Sequence, residues 1–450
     1  METLTSLYPF FLDWLDLVVR WIHIIVGIAW IGTSFYFNWL DSRLDREIDS
    51  NDVDGELWSV HSGGFYHINK LKSPPKVFPK ELHWFKWEAY TTWISGFALL
   101  IIVYYLNAES IMIDKTVSDI NPFTAIIISL SFLAGSWLIY DFLCKSPLVD
   151  HKILFSIIGL ILATIISYAL TEIYGSRAAY IHVGACLGTI MAANVFHVII
   201  PSQKNMVNAA LANKQPDLKK GLSAKTRSIH NNYLTLPVLF IMISAHFPFT
   251  YGHKYNWLIL AIISVIGASV RHYFNLRNKK KYNVWILPSA AAGMMCLMLY
   301  VSIPKINNNL EEKTFEEVDF NEVTNIIKYR CGVCHANNPT YEGFEEPPLG
   351  IIFDTTQDIL NNVNRIKAQT IDSDIMPPGN LTGITKIERN KLWDKVSIHF
   401  WNIKVFFFGR TNHMFDWFLP FRQFFNPRKY ILVMHLAQQV MDAVETSFVL

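Results

Sequence analysis

Apolar residues gather in eight long runs over the first three hundred positions, at roughly 17–39, 92–113, 123–144, 153–173, 177–200, 233–250, 255–275 and 284–303. A helix needs about 20 predominantly apolar residues to cross a bilayer, and helices satisfy their own backbone polar groups there. The pattern therefore predicts an all-α, polytopic bundle of eight transmembrane helices over residues 1–303. The sixth run is short and carries Pro237, which predicts a kink or tilt. Residues 1–16 contain no Lys or Arg, and no small-residue cleavage site follows the first run. That run is accordingly read as a retained span and not as a secretory leader.

The periodicity changes after residue 303. Residues 304–320 (PKINNNLEEKTFEEVDF) are polar and acidic and read as a linker. Residues 321–400 read as a small soluble helical domain, with helices expected at 321–330, at 356–370 and from Thr385, where Thr385 and Glu388 have the spacing of a capping box. The tail, 401–450, is rich in Phe (406–408 are consecutive) but is interrupted by Arg410, Arg422 and Arg428 before it reaches a spanning length. It reads as an interfacial segment or an extension without an assigned role. No internal repeat is visible.

Composition agrees with the pattern. Apolar residues make up 51% of the chain and charged residues 17%, against about 25% charged in an average soluble protein. The net charge of +2 conceals a split: residues 1–305 carry 25 Lys/Arg and 19 Asp/Glu, and residues 306–400 carry 9 and 15. No basic run suits a nucleic-acid partner; the bilayer is the expected one. Lys70, Lys72, Lys76, Lys80, Lys219, Lys220 and Lys279 to Lys281 fall in the loops after the odd-numbered runs, whereas the opposite loops hold little beyond Lys115, Arg177 and Lys254. The positive-inside rule then places the N-terminus and everything after Lys305 outside. The expected location is a bacterial-type inner (cytoplasmic) membrane, with the C-terminal domain periplasmic.

Of five cysteines, Cys144, Cys186 and Cys296 sit in apolar runs, where an isolated Cys behaves as a small core residue. The other two form Cys331-Gly-Val-Cys334-His335, the CxxCH signature of covalent haem attachment. Two thiols three residues apart on a helical turn reach the two haem vinyl groups, and the adjacent His335 serves as an axial ligand. Met376, 41 residues beyond His335 in Ile375-Met376-Pro377-Pro378, supplies a second axial sulfur. The domain is thus expected to be a class I cytochrome c. A redox or zinc CxxC is the competing reading, but zinc needs two further ligands and there is no second Cys pair.

Ionisable residues inside a span are functional candidates. His23, His182 and His246 fall towards the outer side, and His197 and His272 towards the inner side, with His151 at the inner end of the fourth run. His182 and His197 are 15 residues apart, about 22 Å along one helix, a separation that suits two stacked b-type haems. His23 and His182, nearest the haem c domain, are the preferred ligands; helix packing is the alternative role for each. Arg20, Asn38, Asn194, Asn232 and Gln203 at helix ends could read a polar heterocycle, or simply cap the helices. The loop His61-Ser62-Gly63-Gly64-Phe65-Tyr66-His67, with Pro74 and Pro75, is long enough to cover a site, or to rest on lipid.

Several separated motifs share one resemblance. Arg20-Trp21-Ile22-His23, Gly27, Trp30-Ile31-Gly32 and Ser34-Phe35-Tyr36-Phe37-Asn38-Trp39-Leu40 resemble the membrane-bound urate oxidase (urate hydroxylase) family. So do the loop 61–66, Ala193-Asn194-Val195, Ile200-Pro201-Ser202-Gln203 and Asn231-Asn232-Tyr233. The resemblance covers about residues 1–400 and implies an eight-span domain fused to a cytochrome c. It implies oxidation of urate to 5-hydroxyisourate in purine catabolism, with electrons leaving through haem c to a respiratory-chain acceptor such as a cytochrome c or terminal oxidase. The first span also looks like that of membrane protoporphyrinogen oxidases and copper-resistance proteins, which favours His23 as a haem or metal ligand. The tail after residue 400 departs from the family pattern.

Urate is a largely monoanionic, electron-rich heterocycle near neutral pH, so its oxidation calls for an electron acceptor and a cationic or donor-rich pocket. Arg20 or Arg177 would supply the charge from outside, Lys70 or Lys72 from inside. Two other functions fit the same architecture: a membrane-anchored cytochrome c that carries electrons without a substrate site, and a transporter with an incidental cytochrome.

Overall fold

The computed structural model describes residues 8–48, 50–75, 77–310, 320–341, 344, 346–371 and 375–392. The 401–450 tail, most of the acidic linker and Lys76 lie outside the described residues. The chain divides into two compact units, Met1–Glu311 with Pro378–Leu381, and Glu312–Pro377 with Thr382–Leu450.

The first unit is largely helical. Helix α1 (Tyr8–Arg43) is followed by a hairpin of β1 (Val53–His61) and β2 (Gly64–Leu71), then by α2 (Trp87–Leu99), α3 (Pro122–Lys145) and α4 (Lys152–Thr171). After these come α5 (Ser176–Ala193), α6 (Ile200–Leu211), α7 (Leu218–Ser244), α8 (Asn256–Asn278) and α9 (Ile286–Leu310). Among the described residues, five helices are long and apolar enough to cross a membrane: Phe11–Arg43, Pro122–Lys145, Lys152–Thr171, Ser176–Leu211 and Asn256–Asn278. Ile286–Ser302 is apolar but shorter. Two of the eight expected spans take a different form. Run 92–113 passes from α2 into wider π-helical turns, Leu100–Tyr105 and Ala108–Met112. Run 233–250 begins as the apolar end of α7, whose first half is polar and which contains Pro237, and continues past the end of that helix at Ser244.

Local chemistry sets the helix limits. Asn121 caps α3 by accepting from the Thr124 N–H at 2.9 Å, Pro122 occupies its first turn, and Lys145 its last. On α1, Trp14, Trp21 and Ile28 are each at least 65% exposed, a surface that lipid would cover. The centre of the bundle is α5, where half of the apolar window of Ser176–Leu211 is buried, against 0–22% in the other four candidate spans. Its small residues allow that approach: a Cβ on Gly184 would lie 2.7 Å from Ile241 Cγ2 of α7.

The hairpin corrects the all-α expectation. Residues 53–71 pair antiparallel through a two-residue turn in which Ser62 and Gly63 both have positive φ, +49° and +76°. Such a turn matches the twist of paired strands. Trp58 stacks on His67 at 4.1 Å between ring centroids, and His67 Nε2 meets Glu56 Oε2 at 2.8 Å. Asp41, at the end of α1, receives Lys70 of β2 and, at 3.1 Å, Lys225 of α7. The segment read as a covering loop is therefore a stapled ribbon.

In the second unit, α10 (Phe320–Arg330) supplies Val323, Ile326 and Ile327 to a core shared with Cys331, Phe353, Ile359, Ile366, Ile384 and Leu392. The helix α11 (Thr356–Asn361) starts from a capping box of Thr355 and Asp358. The box expected at Thr385 also forms: Glu388 accepts from the Thr385 N–H at 2.7 Å, and Thr385 Oγ1 accepts from the Glu388 N–H at 3.2 Å.

Candidate functional site

The turn after α10 carries the CxxCH residues. The backbone N–H groups of Cys334 and His335 donate to the Cys331 carbonyl at 3.1 and 2.9 Å, which sets both thiols and the imidazole on one tight turn. Both cysteines are free. His335 donates through Nδ1 to the Ile351 carbonyl at 2.9 Å, and its ring centroid lies 5.1 Å from that of Phe353. That bond fixes the tautomer and leaves the Nε2 lone pair available as an acceptor or ligand. Burial holds the imidazole below its ordinary range despite the bond to Ile351, so it is neutral at physiological pH. Burial pushes the Cys331 thiol up to about 12 and raises Cys334 as well, so neither is a ready thiolate. Among the described residues no group of three His, Cys, Asp or Glu side chains is placed to hold a metal ion.

The Met376 segment is anchored from both sides. Ile375 and Met376 donate their N–H groups to the Gln369 carbonyl at 2.9 and 2.8 Å, and Arg389 Nη1 donates to the Met376 carbonyl at 2.9 Å and to that of Thr370. Two thiols and a tethered neutral imidazole on one turn, with Met376 on an anchored segment, are residue types that fit covalently held haem.

In the first unit, His23 and His182 occupy separate places. His23 Nδ1 lies 3.0 Å from both the Thr92 carbonyl and Ser95 Oγ of α2, and its ring fills the space beside Gly96. His182 is fully buried, with rings of Tyr104 and Tyr174 at 5.8 and 4.8 Å. Its Nδ1 donates to the Ala178 carbonyl at 2.7 Å, and its Nε2 is a buried acceptor with no protein partner. Gly96 and Tyr104 are eight residues apart, about 12 Å along a helix, so the two imidazoles reach different turns of one wall.

The polar candidates also separate. Arg20 is half exposed, and its charge is matched by both oxygens of Asp16 at 2.7 Å. Asn38 donates within its own helix to the Ser34 carbonyl, Lys72 reaches the Ser50 carbonyl, and Gln203 is exposed on α6. Asn194 stands out. It opens the π turn Asn194–Ile199 between α5 and α6, a widening that recurs at functional sites. It is fully buried, accepts from Arg227 Nη1 at 3.1 Å and donates to Asn231 Oδ1 at 2.8 Å. Arg227 is paired with Asp141 at 2.7 Å and lies over the Tyr140 ring, and the Tyr140 hydroxyl meets His230 Nδ1 at 2.8 Å.

A second buried arginine lies elsewhere. Arg271 of α8 is 6% exposed, and its guanidinium carbon is 3.7 Å from the centroid of the Phe35 ring of α1. Its Nε donates at 2.8 Å to Asn232 Oδ1, which also accepts from Asn275 Nδ2 at 2.9 Å. Arg227, Asp141, Tyr140, His230 and Arg271 were not singled out above. Arg271 had a readable signal, as a charge within an apolar run.

The family model of the urate oxidase N-terminal domain matches residues 9–302. The chain belongs to that family. The match covers the helices that carry His23, His182, Asn194, Arg227 and Arg271, so these are the first unit's candidates for a urate-related, oxidoreductase-type function. No curated protein and no solved structure matches the chain.

Proposed function

We propose that this chain is a membrane-bound urate oxidase that converts urate to 5-hydroxyisourate and sends the electrons, through a haem c of its own, to a respiratory-chain acceptor. The balance is urate plus water giving 5-hydroxyisourate, two protons and two electrons. The observation that carries the reading is the joining, in one chain, of a urate oxidase N-terminal unit and a CxxCH turn. Cys331 and Cys334 would hold the haem through thioethers, and His335 and Met376 would ligate its iron. The group supplies a one-electron acceptor; the second unit's own residues set its surroundings, with Ile351 orienting His335 and Arg389 holding the Met376 segment. His182, with its unpartnered Nε2, and His23 are the residues of this reading that would hold a b-type haem in the first unit. The eight apolar runs are read as eight crossings of an inner membrane, with the cytochrome unit periplasmic.

The test is the anaerobic visible spectrum of the purified, oxidised full chain before and after urate is added. Growth of reduced c-type bands is the expected result, and b-type bands would add the buried histidines. A haem that dithionite reduces and urate does not would favour the second reading, an anchored carrier without a substrate site.

A further inference from the structure

The two buried arginines of the first unit are in opposite electrostatic states. Arg227 is matched by Asp141, a fixed carboxylate. Arg271 has no ion-paired carboxylate among the described residues, and its Nη2 is buried without a hydrogen-bond partner. Asn232 Nδ2, on the amide that Arg271 grips through Nε, is likewise buried and unpartnered. Asn232 is 1% exposed and Arg271 6%. An uncompensated buried cation is strongly unfavourable, and a buried donor without an acceptor adds to that cost. Two such donors on one amide–guanidinium pair point to a ligand that presents acceptors and negative charge.

We infer that Arg271 and Asn232 form the recognition site for the oxopurine anion, with Arg271 Nη2 and Asn232 Nδ2 donating to its carbonyl oxygens or deprotonated ring nitrogen. This rests on the urate reading above and adds the place and polarity of the pocket. The free groups are both donors, so the ligand must present acceptors and negative charge. Asn232 is locked in that sense, because its Oδ1 already accepts from Arg271 and Asn275. The Phe35 ring braces the guanidinium. Three helices thus meet here: α1 contributes Phe35, α7 Asn232, and α8 both Arg271 and Asn275. Two of the cations weighed from the sequence are already matched, Arg20 by Asp16 and Lys70 by Asp41.

The test is equilibrium binding of radiolabelled urate to the oxidised full chain in detergent, with thermal melting of each variant. Asn232→Asp is the informative substitution. It gives Arg271 a carboxylate in place and sets a negative charge where the ligand would sit. Melting is expected to stay level or rise, while urate affinity falls by roughly 100-fold or more. Arg271→Gln is expected to lose affinity to a similar degree, and Arg271→Lys to recover only part of it, because an ammonium cannot reproduce the guanidinium fork. Unchanged affinity in Asn232→Asp, with wild-type binding intact, would overturn the site and leave the urate reading standing. Absence of urate binding by the wild type would overturn both.

Discussion

Arg227 and Asp141 form a 2.7 Å ion pair in which the arginine side chain is 2% exposed and the aspartate 16%. The guanidinium also donates to Asn194 and lies over Trp137 and Tyr140, so one charge organises α3, α7 and the π turn that follows α5. Removing one partner of a buried pair leaves the other charge uncompensated, at a cost of about 3–5 kcal/mol. Asp141→Asn is therefore expected to lower the melting temperature sharply, and Asp141→Leu combined with Arg227→Leu to melt closer to wild type. A double variant no more stable than the single one would count against this account.

The CxxCH turn makes a covalent prediction. Cys331→Ser with Cys334→Ser should abolish haem that survives denaturing electrophoresis, as read by peroxidase staining. Met376→His should keep the covalent haem but lower its midpoint potential, because thioether ligation raises the potential relative to imidazole. An unchanged potential would remove Met376 from the iron.

His182 presents an unpartnered nitrogen, whereas His23 is tied to α2. Substituting either with Ala should remove a b-type signal while leaving the c-type bands. Visible spectra of the reduced variants that match wild type would assign both imidazoles to helix packing.

Glu388 gives a pH dependence to the second unit. Desolvation pushes its carboxyl up, but this is outweighed by hydrogen bonds from the Thr385 N–H and hydroxyl and by Arg330, so the group titrates below the ordinary glutamate range. A depressed folded-state value means that the stabilisation is fully present above the unfolded value, about 4.3, and is lost as pH falls through the folded one. Hydrogen-exchange protection factors in peptides covering 382–392 should be flat at neutral pH and fall below about pH 4.3, and Glu388→Gln should remove most of that change.

Much of this protein was legible from its sequence because the relevant signals are local. Run length marks the apolar helices, CxxCH spacing marks the thiols and imidazole on one turn, and Thr385 with Glu388 marks a helix start. The hairpin was less legible. Its turn depends on Ser62 taking a positive φ, which a non-glycine residue rarely adopts, and its polar strands looked like a loop.

What the tertiary structure alone decided is which polar groups meet across helices. Asn38, Asn194 and Asn232 look alike in sequence, each an amide near the end of an apolar run. Packing turns Asn38 onto its own helix, joins Asn194 to a neutralised arginine, and leaves Asn232 beside an arginine that has no counter-ion among the described residues. Helix periodicity sets the direction of a side chain relative to its own axis. The charge it meets there depends on the rotation and depth of neighbouring helices, set by long-range contacts such as Gly184 against Ile241 and Phe35 beneath Arg271.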